Sequence, residues 1–195
     1  MTRIARYFIF LALLVPLMAC ETPVERGAFP DITFAHLPAI ALDVAEIRIV
    51  KVYVPPLKRP HVDHEFPVPP LRAAERWVKD RLKAVGQDGV ATVTIHDAGV
   101  TESRLGRMGG IKGTFTTEQS ERYDAAVEAA IEVRGGRGLN VASATARAER
   151  SRTVPEDISL ADREKVWFAL TEDLMREFDR TFEAQIKRHL GAFLR

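Results

Sequence analysis

Two neighbouring segments in the second half of the chain alternate strictly between apolar and polar residues. The first, 122–134, leads into a glycine-rich run, and its apolar members are Tyr123, Ala125, Val127, Ala129, Ile131 and Val133. The second, 139–150, carries alanine at every other position, namely Ala142, Ala144, Ala146 and Ala148. A period of two predicts half-buried strands and outweighs the helix propensity of the alanines. We therefore expect a β-hairpin whose small alanine face lets a covering helix approach closely.

The preceding part of the chain predicts two more strands and one helix. β-Branched and aromatic residues fill 40–54 and 90–96, as is typical of strands. Prolines mark the stretch 55–70 as a loop. Apolar residues then recur every three or four positions over 71–85, which predicts an amphipathic helix capped by Gly86.

A long helix is predicted at the end of the chain, from a capping box formed by Ser159 and Asp162 to about Phe193. Large apolar residues occupy every fourth position: Val166, Leu170, Leu174, Phe178, Phe182, Ile186 and Leu190. Because a helix turns by ~100° per residue, each step of four rotates this row by ~40°. The first half of the helix should therefore pack on the alanine face, and the second half should turn away from it.

The rotated half of this row is a candidate binding surface. An apolar patch that the sheet does not cover is more often a contact surface than an accident. We therefore predict partner-binding residues at Phe182, Ile186 and Leu190. The alternative is that the segment before residue 40 or the 55–70 loop folds back and covers them.

These elements predict an α+β fold for one domain over residues 40–195, in the order β-α-β-β-β-α. Elements in this order pack as two layers, so we expect an antiparallel four-stranded sheet with both helices on one face. Trp77 and Trp167 lie on the apolar stripes of the two helices, and we expect both in the core.

The N-terminal residues have the pattern of a secretory leader. Arg3 and Arg6 precede twelve nearly all apolar residues, 7–18, and the single cysteine, Cys20, follows the small residue Ala19. A transmembrane helix is one alternative, but twelve residues span only ~18 Å of a ~30 Å hydrocarbon core. An ordinary cleaved signal with an incidental cysteine is the other.

The run Leu17-Met18-Ala19-Cys20 resembles the lipobox of bacterial lipoproteins. This resemblance implies that a signal peptide, 1–19, is removed and that the Cys20 thiol carries a diacylglycerol. Residues 20–39 are then expected to form a lipid-anchored tether. By analogy with the enterobacterial sorting rule, Glu21 implies the periplasmic face of the outer membrane, with the inner membrane as the alternative.

Composition narrows the classes of function. The chain has 28 basic and 27 acidic residues, a balance that gives no reason to expect nucleic-acid binding. With its one thiol acylated, the domain has no disulfide, no cysteine nucleophile and no thiolate metal site. Its stability should therefore come from packing.

Two loops carry candidate chemistry. The run HVDHEF brings together His61, Asp63, His64 and Glu65, but adjacent residues of an extended loop point apart, so we expect a solvated loop and no metal. The loop 98–113 has five glycines and three cations that could contact a partner or a lipid headgroup: Arg104, Arg107 and Lys112. It lacks the Gly-Lys-Ser/Thr of a P-loop, and a mobile connector is the alternative.

No catalytic residue or cofactor is indicated by the remaining motifs. Arg147, Arg150 and Arg152 could bind an anion, but nearby acids favour a salt-bridged strand edge. The sequence contains neither G-x-S-x-G nor H-E-x-x-H.

The lipobox, the proline-bearing tether, the element order and a charged helix opening with SLADREKVWFALTEDLM together resemble small Gram-negative envelope lipoproteins. Two families are similar: the lipopolysaccharide-assembly lipoprotein E family and the auxiliary lipoproteins of ABC-type lipid transporters. We therefore predict a lipid-anchored periplasmic adaptor or binding protein in envelope assembly or lipid transport, which acts on a protein or lipid without catalysis. The alternatives are an envelope hydrolase or metal-binding lipoprotein with an unrecognised site, and a purely structural lipoprotein.

Overall fold

The computed structural model of the chain describes residues 29–106, 119–135 and 141–195. Within these ranges there are two helices, α1 (Pro70–Arg81) and α2 (Leu160–His189). The strands are β1 (Ile40–Leu42), β2 (Glu46–Lys51), β3 (Leu82–Ala84), β4 (Val90–Asp97), β5 (Val100–Arg104), β6 (Gln119–Arg134) and β7 (Val141–Pro155). Short 3-10 turns occupy Asp63–Glu65 and Gly191–Phe193.

The long strand β6 is the centre of the main sheet. On one side it pairs antiparallel with β7 over almost its whole length. On the other side its first half pairs with β5 and its second half with β4, both antiparallel. Since only Ala98 and Gly99 separate β4 from β5, these two act as one interrupted strand along the same side of β6.

The α+β class, the two helices and the long C-terminal helix are confirmed, but the sheet is mixed and not purely antiparallel. Strand β2 pairs with β4 in parallel, from Glu46 opposite Val90 to Lys51 opposite Ile95. Parallel neighbours need a crossover connection, and α1 carries the chain back across the sheet between β2 and β4. The remaining strand pairs of this sheet are antiparallel, as predicted.

The predicted strand over 40–54 and the predicted helix over 71–85 are both too long. The first divides into β1 and β2 around a turn, and α1 ends at Arg81 because residues 82–84 extend as β3 and pair in parallel with β1. Gly86 is therefore not the helix cap. It lies against that turn, where a Cβ would come within 2.6 Å of the backbone of Asp43 and Val44.

The predicted hairpin and its covering helix are confirmed. The alanines Ala144, Ala146 and Ala148 are buried on one face of β7, and α2 packs on that strand. Helix α2 begins as the capping box predicts, since the Asp162 amide donates to the Ser159 hydroxyl at 3.1 Å. The glycine-rich run between the two strands, 135–138, lies mostly outside the described residues.

The expected exposure of the C-terminal half of α2 is wrong. Phe182, Ile186 and Leu190 are completely buried. The row does rotate, but it turns toward α1, where Trp77 stacks on Phe182 with ring centroids 5.1 Å apart. The chain end then folds back to β1, where the carbonyl of Phe193 accepts a hydrogen bond from the Asp43 amide at 2.8 Å. These three residues therefore form core and not a partner surface.

The glycine-rich segment 98–113 is only partly a loop. Its residues Val100–Arg104 form β5, and Arg104 is exposed at the end of that strand. Arg107 and Lys112 lie outside the described residues. The expectation of a contact loop therefore applies only to the part of the segment that follows β5.

A buried cation joins the two helices. Arg81 is 1% exposed, and its guanidinium donates to Asp179 at 2.8 Å, to Glu183 and to the carbonyl of Pro38. Trp77 donates its indole N–H to the same Asp179 carboxylate at 2.7 Å. The buried charge is thus balanced by two acids and one carbonyl oxygen.

Replacement of Ala144 by Leu should destabilise the domain by about 1–3 kcal/mol, because the added methyl groups meet α2 where it covers β7. The matched control is Thr145→Leu, which changes the exposed face of the same strand. Denaturant titration measures both free energies of unfolding. A larger loss for Thr145→Leu would mean that the covered face has been misidentified.

Replacement of Asp179 by Ala should cost roughly 3 kcal/mol, the low end of the range for breaking a buried ion pair, since Glu183 still faces Arg81. Asp173→Ala is the control on the same helix, because Asp173 pairs with the exposed Arg152 and Arg176. Its cost should stay near ~1 kcal/mol or less. Equal losses in thermal or denaturant unfolding would contradict the buried network.

Candidate functional site

The segment 29–38 is attached to the domain and is not a free tether. The ring of Phe29 packs against Phe168 of α2, with centroids 5.2 Å apart. Phe34 is buried, and its amide donates to the Asp80 carboxylate of α1 at 2.9 Å. The predicted tether over 20–39 therefore does not extend through its second half.

An aromatic cleft lies where this segment meets the start of α2. We define it by its lining residues: Phe29, His64, Glu65, Phe66, Pro67, Leu160, Glu164 and Trp167. Its volume is about 560 Å³, within the range of small-molecule sites. Phe66 and Trp167 stack with centroids 5.0 Å apart and an interplanar angle of 12°. These two rings, each 4% exposed, form the inner and largely covered wall of the cleft.

Local contacts fix the two rings in place. Phe66 follows the 3-10 turn Asp63–Glu65, and the next part of its loop is tied to α2, since the buried Thr171 hydroxyl donates to the carbonyl of Val68 at 3.2 Å. Trp167 lies in the second turn of α2 and also meets the ring of Tyr123 edge-on, with centroids 5.5 Å apart. The wall is therefore held from the loop, the helix and the sheet.

The indole of Trp167 has an unused donor. The side chain is 4% exposed, and its Nε1–H finds no acceptor among the described residues. A buried tryptophan N–H normally has a hydrogen-bond partner. Because this nitrogen is itself covered from solvent, the unpaired donor is enclosed in the domain and is not open to the cleft.

The mouth of the aromatic cleft is acidic. Glu164 is partly exposed and has no ion-pair partner in the described part of the chain. Glu65 is exposed and has only distant contacts, 4.0 Å to Arg59 and 3.9 Å to His64. Leu160, which is 59% exposed, adds an apolar edge. The mouth thus favours a positive group beside an apolar one.

A second concavity, of about 390 Å³, lies where β4 gives way to β5. Arg147 lines it and pairs with three acids: Asp97 at 3.2 Å, Glu128 at 2.8 Å and Glu149 at 2.7 Å. Hydrogen bonds to Glu149, and to a smaller extent to Glu128, raise the pKa of Arg147 above its ordinary value. Because its main cation is already paired, this concavity offers little to an anion.

The salt-bridged edge expected for the three arginines is confirmed, although helix α2 supplies the acids for two of them. Arg150 pairs with Glu177 at 2.6 Å and Arg152 with Asp173, both across the sheet–helix boundary. The partners are 27 and 21 residues apart, so the sequence around each arginine does not reveal them.

The HVDHEF run is divided among three environments. His61 lines the second concavity, Asp63 is buried, and His64 and Glu65 reach the aromatic cleft. In the described ranges no three His, Cys, Asp or Glu side chains come together as a metal site requires. Asp63 lies near the Tyr53 hydroxyl, whose pKa is raised first by burial and then by this carboxylate.

Sequence reasoning missed the aromatic cleft. No periodic pattern of apolar residues surrounds Phe66 in the sequence. The burial predicted for Trp167 is confirmed, but the sequence does not indicate that this residue also lines a cleft. The only local signal was an aromatic residue between the prolines of a loop that was otherwise expected to be solvated. Within the described residues, no helix has the length and hydropathy needed to cross a membrane.

Comparison of the sequence with models of protein families and with curated proteins gives no match. Among solved structures, the chain is similar to rare lipoprotein B from Shewanella oneidensis, with 12% identity and a TM-score of 0.37. That match covers 73% of this chain and 95% of the other. Similarity at this level does not establish a shared family, so membership of either family suggested by the sequence stays a prediction.

Attachment of the segment 29–38 should weaken in acid. Partial burial acts to raise the pKa of Asp80, but hydrogen bonds led by the Phe34 amide outweigh it and hold the pKa below its ordinary 3.8. A carboxylate with a lowered pKa stabilises the fold above its unfolded pKa, and that contribution disappears as the pH falls through its folded value. Protection of the Phe34 amide against hydrogen exchange should therefore fall as the pH drops below 3.8.

The variant Asp80→Asn should lose about 1 kcal/mol of protection at neutral pH and show a flatter acid profile. Asp31→Asn is the control, since Asp31 makes only an exposed ion pair with Arg72, at 2.6 Å. An unchanged profile in Asp80→Asn would show that this carboxylate does not hold the segment.

Proposed function

We propose that this chain is a lipid-anchored protein of the bacterial envelope that acts by binding, without catalysis, at the aromatic cleft. The anchor would be the Cys20 thioether, and the domain would stand on the periplasmic face of the outer membrane. Within this function, envelope assembly or lipid transport are the roles that the sequence resemblance suggests.

The leader supports the anchor. Its two cations, its short apolar core and the small residue before Cys20 are the features that a lipoprotein signal requires, and Cys20 is the only cysteine of the chain. A thiol that served only packing would not need to stand at this position.

The aromatic cleft is the observation that carries the binding role. It combines apolar lining residues, of which Leu160 is the most exposed, with the carboxylates of Glu65 and Glu164 at its mouth. Binding sites typically combine such apolar walls with a few polar groups that orient the ligand. The described titratable residues around the cleft are two glutamates and one histidine at its mouth, and its lining residues include no serine, threonine, cysteine, lysine or tyrosine.

The cations Arg104, Arg107 and Lys112 remain a proposed secondary contact set. Arg104 is exposed at the end of β5 and has no ion-pair partner in the described residues, so it is free to meet an anionic group. Phe182, Ile186 and Leu190 are not part of the proposed function, because they are core.

Metabolic labelling with a fatty acid tests the anchor. The wild type should take up label, whereas Cys20→Ser should take up none and accumulate as precursor with its leader attached. Met18→Ala is the control, since a small residue at that position keeps the lipobox pattern and should preserve labelling. Equal labelling of Cys20→Ser and the wild type would remove the lipoprotein assignment together with its localisation.

A further inference from the structure

We propose that two copies of this chain pair through the free edge of β2, antiparallel to one another about a two-fold axis at Val50. The partner is therefore a second copy of the same chain, and the paired strands continue the main sheet from one copy into the other. This pairing uses neither the aromatic cleft nor the lipid anchor at Cys20, so it goes beyond the proposed function.

The outer side of β2 presents main-chain groups that no described strand pairs. Strand β2 is an edge of the main sheet, because β4 is its only strand neighbour in the described part of the chain. The amide of Val52, directly after β2, donates to the Ile95 carbonyl of β4 at 3.0 Å. Since successive amides of a strand point to opposite sides, those of Ile49 and Lys51 point away from β4. Such a row of donors and acceptors is a template for another strand.

The side chains along this edge are apolar and open to solvent. Val50, Val52 and Val54 alternate along one side of the strand, with exposed fractions of 42%, 57% and 76%. On the other side, Ile47 and Ile49 are only partly buried, because α1 packs against β4 and β6 and leaves β2 at the margin of the domain. An exposed hydrophobic strand at the edge of a sheet is expected to associate with another strand.

The opposite edge of the sheet, β7, is protected. Helix α2 packs against this strand, and Arg150 and Arg152 of β7 reach Glu177 and Asp173 of that helix. Charged side chains and a covering helix are the usual means by which proteins prevent edge-to-edge pairing. A two-fold contact uses the same surface of both copies, so pairing through β2 alone closes at a dimer.

The charges on β2 do not repel a second copy. Arg48 pairs with Glu46 at 2.6 Å, and Lys51 pairs with Glu75 of α1 at 2.8 Å. Each cation of the strand is thus already compensated by an acid of its own chain. The apolar side chains and the free main-chain groups therefore decide how two copies pair.

An axis at Val50 gives a register in which no like charges meet. Residues directly opposite one another in an antiparallel pair lie on the same face of the sheet. Val50 then faces its own copy, Arg48 faces Val52 of the second copy, and Lys51 faces Ile49 of the second copy. This arrangement gathers Val50 and Val52 of both copies into one apolar cluster on the open face of the joined sheet.

Neighbouring registers are less favourable. An axis at Arg48 or at Lys51 would oppose two identical cations, which is destabilising. An axis at Ile49 would place a charged residue opposite both Val50 and Val52. An axis at Val52 would extend the pairing into the prolines that follow the strand, which have no amide to donate.

Disulfide trapping in the full-length protein tests this pairing. Because the main-chain groups of Val50 face β4, its two copies form a non-hydrogen-bonded pair with Cα atoms about 4.5 Å apart. Disulfides form only where the two Cα atoms lie within about 7 Å. Mild oxidation of Val50→Cys in detergent should therefore yield covalent dimer on a non-reducing gel. The wild type, whose one cysteine is Cys20, measures the background.

Cysteines at other positions of the same edge define the register. Val54→Cys is the matched control, since Val54 is more exposed than Val50, yet its two copies would lie about 27 Å apart along the strands. It should give no more covalent dimer than the wild type. Arg48→Cys and Val52→Cys should each give none alone and should form a disulfide when mixed, because these positions face each other.

A charge at the axis should separate the two copies. Val50→Lys opposes two lysines, so sedimentation of the full-length protein in detergent should shift from the dimer mass to the monomer mass. Because Val50 is 42% exposed, the thermal midpoint should stay nearly unchanged. Val141→Lys is the control, since Val141 is a 61% exposed valine of β7, and this variant should remain dimeric.

Three results would overturn the inference. Equal trapping of Val50→Cys and Val54→Cys would show that the copies meet only by random collision. Trapping of Val52→Cys alone would show that the axis is not at Val50. A wild type that sediments as a monomer would mean that β2 does not pair with a second copy, which would leave a strand of another protein as its partner. Fatty-acid labelling of Cys20 is scored separately, so failure of this pairing is distinguishable from failure of the anchor.

Discussion

The buried guanidinium of Arg81 is the interaction on which the arrangement of this domain depends. A charge that is 1% exposed is tolerated only where its partners are complete, and here the partners come from two other parts of the chain. Asp179 and Glu183 belong to α2, and the Pro38 carbonyl belongs to the segment before β1. Because a misplaced element would leave the charge unpaired, the network specifies how α1, α2 and the N-terminal segment meet.

The contact between α1 and α2 around Arg81 also explains why the C-terminal half of α2 is buried. Trp77 lies one helical turn before Arg81, shares its Asp179 partner and stacks on Phe182. The polar network and the aromatic packing therefore act on the same side of α1. A row of apolar residues that rotates away from the sheet is directed into this contact and is not left in solvent.

Elements whose structure depends on their own local sequence were predicted correctly. The alternation in β6 and β7 reflects two faces of unlike polarity, and the Ser159 cap acts within one helical turn, so both were predictable. The parallel partners of β1 and β2 were not, because strand pairing across a helix depends on residues more than 40 positions apart. The burial of Phe182 was mispredicted for a related reason. The rotation of ~40° per step does turn the apolar row away from the sheet, but the sequence does not show that α1 packs against the rotated half of α2.

The aromatic cleft shows the same limit for function. Its stacked rings, Phe66 and Trp167, are 101 positions apart, and neither has a neighbour in sequence that indicates a site. The lipid anchor at Cys20 stays a prediction from local order, because a leader and its cysteine form one continuous pattern. The cleft, in contrast, can be recognised only in the fold.

The N-terminal segment 29–38 links the aromatic cleft to α1. Phe29 lines the aromatic cleft, and Phe34 of the same segment is held to α1 through Asp80. Any ligand that packs on Phe29 prefers the attached form of this segment. By thermodynamic reciprocity, attachment of the segment must then strengthen binding by the same factor. A ligand in the cleft and the attachment of the segment 29–38 therefore stabilise each other.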